Sequence, residues 1–248
     1  MATTTPTLTV QQRAVRSSVV RKFWMAVSGL IMVGYLLIHM YGNLKMFAGK
    51  TMVDGQEVWA YDAYAHHLRV MGEPILPENG LLWIVRVVLL AAILVHIWSA
   101  FTLWSRARKA SGGARRYAEK KALQRSYASY TMRWGGVTIL LFVIYHLLHF
   151  TIGGTNPVVD TAPGAASIFP RVVESFQQPL VFISYLIAMI AVGLHIRHGF
   201  WSAFATLGAN TSVKARTFWN AIAIAIALVI VLGFIAGPAA ILFGGITL

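Results

Sequence analysis

The chain has no cysteine, and only 8 of its 248 residues are acidic. The first absence excludes thiolate-attached haem, cysteine-ligated iron–sulfur clusters and disulfides within the chain. The second is sharpened by position, because no Asp or Glu falls inside any of the long apolar runs. A transporter or scaffold without haem that relays protons through intramembrane acids therefore has little to build its relay from. Charge of either sign is scarce, at 12% of residues, about half of what a soluble domain carries. What fills its place is apolar: 57% of the residues are hydrophobic, and the mean hydropathy is +0.65.

Five runs are long enough to cross a hydrocarbon core of about 30 Å at about 1.5 Å per residue. They predict an all-α membrane protein with spans near residues 22–47, 81–104, 134–152, 179–207 and 218–243. A tail over residues 1–21 precedes a single five-helix domain over residues 22–248. The first twenty residues lack the apolar core and small-residue cleavage site of a secretory signal, and they read as a cytoplasmic tail.

The net charge of +13 suggests nucleic acid until it is mapped. Basic residues gather in the tail and first turn (Arg13, Arg16, Arg21, Lys22), in loop 105–133 and at Lys214 and Arg216. The two loops on the other side, with Lys45, hold only four: Lys45, Lys50, Arg69 and Arg171. Short basic loops stay in the cytoplasm, so the N-terminus is expected inside and the C-terminus outside. Trp24, Trp104, Trp134, Trp201 and Trp219 then fall at the inner interface and Trp83 at the outer one. The charge reports topology; membrane lipid, not nucleic acid, is the expected surroundings. The fifth run, with Asn220 near its start and Pro238 near its end, has nothing to ligate a cofactor and is expected at the periphery, kinked near the proline.

Six of the eight histidines lie in the first four spans: His39, His96, His146, His149, His195 and His198. Histidine in a bilayer is costly unless it is partnered. The first and third spans run outward, the second and fourth inward. His39 and His146 therefore fall at one outer level, and His96 and His195 at one inner level, roughly 13 Å away by helix rise. Two imidazoles at each of two levels are what two low-spin b-type haems require, with edges close enough for electron transfer. Each ligand's other ring nitrogen is expected to donate to a carbonyl one turn earlier. His149 follows His146 by three residues and His198 follows His195 by three, so each shares a helix face with its neighbour and either member can ligate. Gly29, Gly34, Gly42, Gly135, Gly136, Gly193 and Gly199 leave room on the same spans for a macrocycle or for close helix packing.

Four segments carry these histidines: LLIHMYGNL (36–44), LVHIWSAF (94–101), VIYHLLHF (143–150) and LHIRHGFWSAF (194–204). In this order, and across nearly the whole chain, they resemble the five-helix dihaem cytochrome b anchor of succinate dehydrogenases and fumarate reductases. The spacing His195-x-x-x-Gly199-x-Trp201-Ser202 is the most specific part. The resemblance implies that His96 and His195 ligate a proximal haem and that His39 and His146 ligate a distal one. It further implies a flavoprotein and an iron–sulfur subunit as partners on the cytoplasmic face of a bacterial inner membrane. Electrons from succinate then reach a quinone, with menaquinone the expected one; no succinate site lies in this chain.

Quinone sites are weakly marked. An outer candidate combines His66, His67, Arg69 and Glu73, with Tyr61 and Tyr64 close by, and an inner one involves Ser28 and Arg21. Arg86, one turn into the second span, is placed to meet haem propionates or to snorkel. The alternative within electron transfer is a cytochrome b subunit of a hydrogenase or formate dehydrogenase.

Overall fold

The computed structural model describes Thr9 and residues 17–110, 127–152 and 167–248. The remainder of the tail, the middle of the basic loop and most of the Gly/Pro-rich loop lie outside the described residues. Five helices are long and apolar enough to cross a membrane. They are α1 (Ser18–Asn43), α3 (Gly80–Ala110), α4 (Tyr127–His146), α6 (Pro179–Thr206) and α7 (Val213–Leu242). Two shorter helices, α2 (Ala60–Val70) and α5 (Phe169–Phe176), lie in the connections.

The ends of these helices follow local chemistry. Ser17 opens α1, its hydroxyl accepting from the Val19 amide at 3.1 Å. Ser212 opens α7 in the same way, accepting from Ala215 at 3.1 Å, so this helix starts five residues before the expected Phe218. Lys214 and Arg216 thus stand on its first turns. Helix α3 runs six residues past the expected Trp104, carrying Arg106, Arg108 and Lys109 on its last turns, where cations favour a helix C-terminus. Pro179 takes the first turn of α6. The third span ends in a π-helical turn, Leu147–Ile152.

Helices α1 and α6 are the central pair. Helix α3 packs on α1, α4 packs on α6, and α7 lies on both α6 and α1. One core joins Met189, Val192, Ile196 and Phe200 of α6 to Ala223, Ala227 and Ile230 of α7. Ala223 and Ala227 of α7 are small, and a Cβ on Gly193 of α6 would stand 2.6 Å from Val231, so the two backbones approach there as small residues permit. Helix α7 continues unbroken through Pro238 to Leu242, and its Phe234 ring reaches the His39 ring at 5.4 Å. Outward faces are apolar: Trp83, Val87, Leu90, Leu94 and Phe101 are exposed along α3. Such a contiguous exposed stripe suits hydrocarbon rather than water.

The connection after α1 is more ordered than a loop. A 3-10 turn, Leu44–Ala48, leads into a hairpin of β1 (Lys50–Val53) and β2 (Gln56–Trp59), paired from Lys50↔Trp59 to Val53↔Gln56. Its two-residue turn, Asp54-Gly55, has φ of 49° and 80°, the left-handed pair that a tight hairpin needs. Helix α2 follows directly. Helix α5 packs Phe169, Val172, Val173 and Phe176 against Met46, Val181 and Ile241, with Trp59 and Tyr61 alongside. Asp62 of α2 caps α5, accepting from the amides of Ile168 at 2.7 Å and Phe169 at 3.1 Å and from the Ser167 hydroxyl. This hairpin end of the molecule is opposite the basic end, where α1 and α7 begin and α3 and α6 finish.

Candidate functional site

The helices bring the span histidines together in two couples. His39 of α1 faces His146 of α4 with ring centroids 5.9 Å apart, and His96 of α3 faces His195 of α6 at 6.1 Å. Each couple bridges two helices that do not pack closely against one another, while the packed neighbours α1 and α6 supply one ring to each couple. The imidazoles meet across diagonals. His149 and His198 have no such histidine opposite them among the described residues.

Three helices measure the separation of the couples independently. On α1, Gly29 lies against the His96 ring and His39 comes ten residues later. On α4, Gly136 lies against the His195 ring and His146 comes ten residues later. On α6, Tyr185 meets His146 and His195 comes ten residues later. Ten residues of helix rise about 15 Å. The His96–His195 couple belongs to the basic end and the His39–His146 couple to the hairpin end.

Near the basic end, His96 Nδ1 lies 3.1 Å from the Met25 carbonyl and 3.3 Å from Ser28 Oγ. A carbonyl only accepts, so Nδ1 carries the proton and Nε2 keeps its lone pair. The expected carbonyl partner is thus present, but on the neighbouring helix rather than one turn earlier. Ser28 is buried, donates to the Trp24 carbonyl at 2.7 Å, and belongs to this imidazole's surroundings. Its companion in the inner quinone candidate, Arg21, lies over the Trp98 ring at 4.6 Å. His195 differs from His96: its Nδ1 is buried and has no hydrogen-bond partner among the described residues.

Near the hairpin end, Tyr35 stacks on His39 at 5.4 Å, and the Asn43 amide donates to the His39 carbonyl at 3.0 Å. Tyr61 donates to Asn43 Oδ1 at 3.1 Å. Burial and the neighbouring Asp62 carboxylate push the Tyr61 phenol up to about 12, so it remains a donor at neutral pH. His146 Nδ1 lies 3.2 Å from the Tyr185 hydroxyl, which is also 3.0 Å from Nδ1 of His149. Neither Tyr185, Asn43 nor the Met25 carbonyl was singled out by the sequence. The one available signal was Tyr185 itself, a hydroxyl within an apolar span, ten residues and so about 15 Å before His195.

The outer quinone candidates lie on α2 and just beyond it. His66, Arg69 and Glu73 are exposed, and Tyr61 turns inward to Asn43. Only His67 and Tyr64 share an open hollow of about 420 Å³, beside Lys45 and Lys50. Arg86 lies over Trp83 of its own helix at 5.0 Å. Among the glycines, Gly29 and Gly136 touch the histidine rings, Gly42 receives Tyr64 and Gly193 receives Val231, while Gly34, Gly135 and Gly199 face open space.

Two facing neutral imidazoles are the donor chemistry that low-spin iron porphyrin takes. The couples stand at 5.9 and 6.1 Å. The spans hold no carboxylate to pair an imidazolium, and the neutral ring is the form that binds metal. Among the described residues no three His, Asp or Glu gather as a metal cage, which bears on zinc-type sites and not on a two-imidazole one. No family model, curated protein or solved structure matches the chain.

Proposed function

We propose that this chain is the dihaem cytochrome b membrane anchor of a succinate dehydrogenase or fumarate reductase. In this role it carries electrons between an iron–sulfur subunit at the basic end and membrane quinone. One observation carries the reading: four helices each present a histidine, and the rings meet in two couples across diagonals whose helices are not closely packed. Aromatic rings in simple contact also stand about 4.5–7 Å apart, so spacing alone would be weak support. Twofold repetition of that spacing, at levels ten residues apart on three separate helices, is what simple packing does not require. The resemblance of the four histidine segments to that family supports the partner and the substrate class.

His96 and His195 would hold the haem nearer the basic end, and His39 and His146 the other. Each bound haem supplies a one-electron ferric/ferrous couple. The chain's own residues hold the ligands in place. Met25 fixes the His96 tautomer from the neighbouring helix, Tyr35 stacks on His39, and Gly29 and Gly136 let neighbouring backbones come up to the rings. Apolar spans keep water and ions from the levels, which together divide a hydrocarbon core of about 30 Å. Basic residues on the last turns of α3 and the first turns of α7 offer an acidic partner a docking face.

Purification through an affinity tag from native membranes tests the assignment. The expected result is a b-type reduced-minus-oxidised spectrum together with a flavin-bearing subunit that oxidises succinate. Association with a hydrogenase or formate dehydrogenase instead would move the chain to another quinone-linked complex. A colourless folded preparation would remove the haem reading altogether.

A further inference from the structure

The Tyr185 hydroxyl sits between two imidazoles, 3.2 Å from Nδ1 of His146 and 3.0 Å from Nδ1 of His149. Its ring is held edge-on by Phe142 and Phe176, each at 5.0 Å, so the hydroxyl is aimed rather than free to swing. A phenol has one hydrogen to give. It can donate to one of these nitrogens and must accept from the other.

The choice follows from His146 as an iron ligand, so this inference rests on the reading above. A ligating Nε2 carries no proton, and a neutral ring then carries its proton on Nδ1. His146 therefore donates to the Tyr185 oxygen, and Tyr185 donates to His149 Nδ1. His149 in turn carries its proton on Nε2. That ring is 0% exposed, and its Nε2 has no hydrogen-bond partner among the described residues. An N–H at that position can meet an acceptor but cannot bind a metal.

We propose that Tyr185 is the positioning residue of the couple near the hairpin end: it accepts from the His146 Nδ1–H, raises that ligand's donor strength, and by donating to His149 excludes His149 as a ligand. An acceptor on the far N–H of a ligating imidazole makes the ring more basic and favours the ferric iron. Losing that acceptor raises the midpoint potential. His149 acts one step further away, polarising the hydroxyl it accepts from.

The test is an optical redox titration of the purified complex carrying wild-type chain, Tyr185→Phe or His149→Leu. The component in question is the one that His146→Ala abolishes. Tyr185→Phe should retain two haems and shift that component upward while leaving the other in place. His149→Leu should also retain two haems and shift the same component upward by less. Unchanged potentials in a Tyr185→Phe preparation with both haems would overturn the proposal, as would loss of a haem in His149→Leu. Where Tyr185→Phe fails to assemble, His149→Leu alone decides, and an unshifted component there overturns the proposal. Absence of haem from the wild-type complex is a different failure, since it removes the ligand reading on which the proposal rests.

Discussion

His195 and His198 lie three residues apart on α6, and only the first meets a histidine from another helix, at 6.1 Å. His195→Ala is therefore expected to halve the haem bound per chain, whereas His198→Ala retains both; a pyridine haemochrome assay on the two variants reads the difference. Farther along, Tyr61 ties the hairpin end to α1 through Asn43. Burial raises its folded-state pKa to about 12, so this contribution is complete below the unfolded value near 10 and is lost as pH rises from there through about 12. Tyr61→Phe keeps the ring and removes the titrating hydroxyl. Trp59 fluorescence against pH should show an alkaline transition in the wild type that is absent from the variant. The pairing of histidines was legible from residue numbers because a helix is a rigid ruler. Their hydrogen-bond partners were not, since Met25 and Tyr185 meet these rings only through the rotation and packing of neighbouring helices.

Among the elements, α5 depends most on a single side chain. Asp62 accepts from two amides at its start and from the Ser167 hydroxyl. Asp62→Ala should cost about 1–3 kcal/mol of local stability. Faster amide exchange over Phe169–Phe176, with unchanged exchange in α6 and α7, would register it. The helix was visible in advance as a pattern, with Phe169, Val172, Val173 and Phe176 at the spacing of one helical face and Pro170 at its start. It follows a stretch rich in glycine and proline between two spans, which masks a helix of two turns. The hairpin was overlooked in the same way, although Asp54-Gly55 between two short strand-forming runs is a strong turn signal. The long helices were legible because a bilayer-length apolar run admits few other structures. Their ends shifted where caps and basic turns, which hydropathy ignores, extended α3 and α7.

For the whole molecule, the lack of cysteine gives a clean route to topology. Single cysteines at Lys109 or Lys214, at the basic end, should resist an impermeant maleimide added to intact cells and react after lysis. One at Thr51, on the hairpin, should react in both. The reverse pattern would invert the charge-based orientation and place the partner subunits on the wrong face. The central claim, however, is that two imidazole couples on four helices each hold an iron porphyrin. Haem stoichiometry on the purified wild-type chain tests it most directly. The account predicts two b-type haems per chain, and a fully folded preparation that binds none would contradict it.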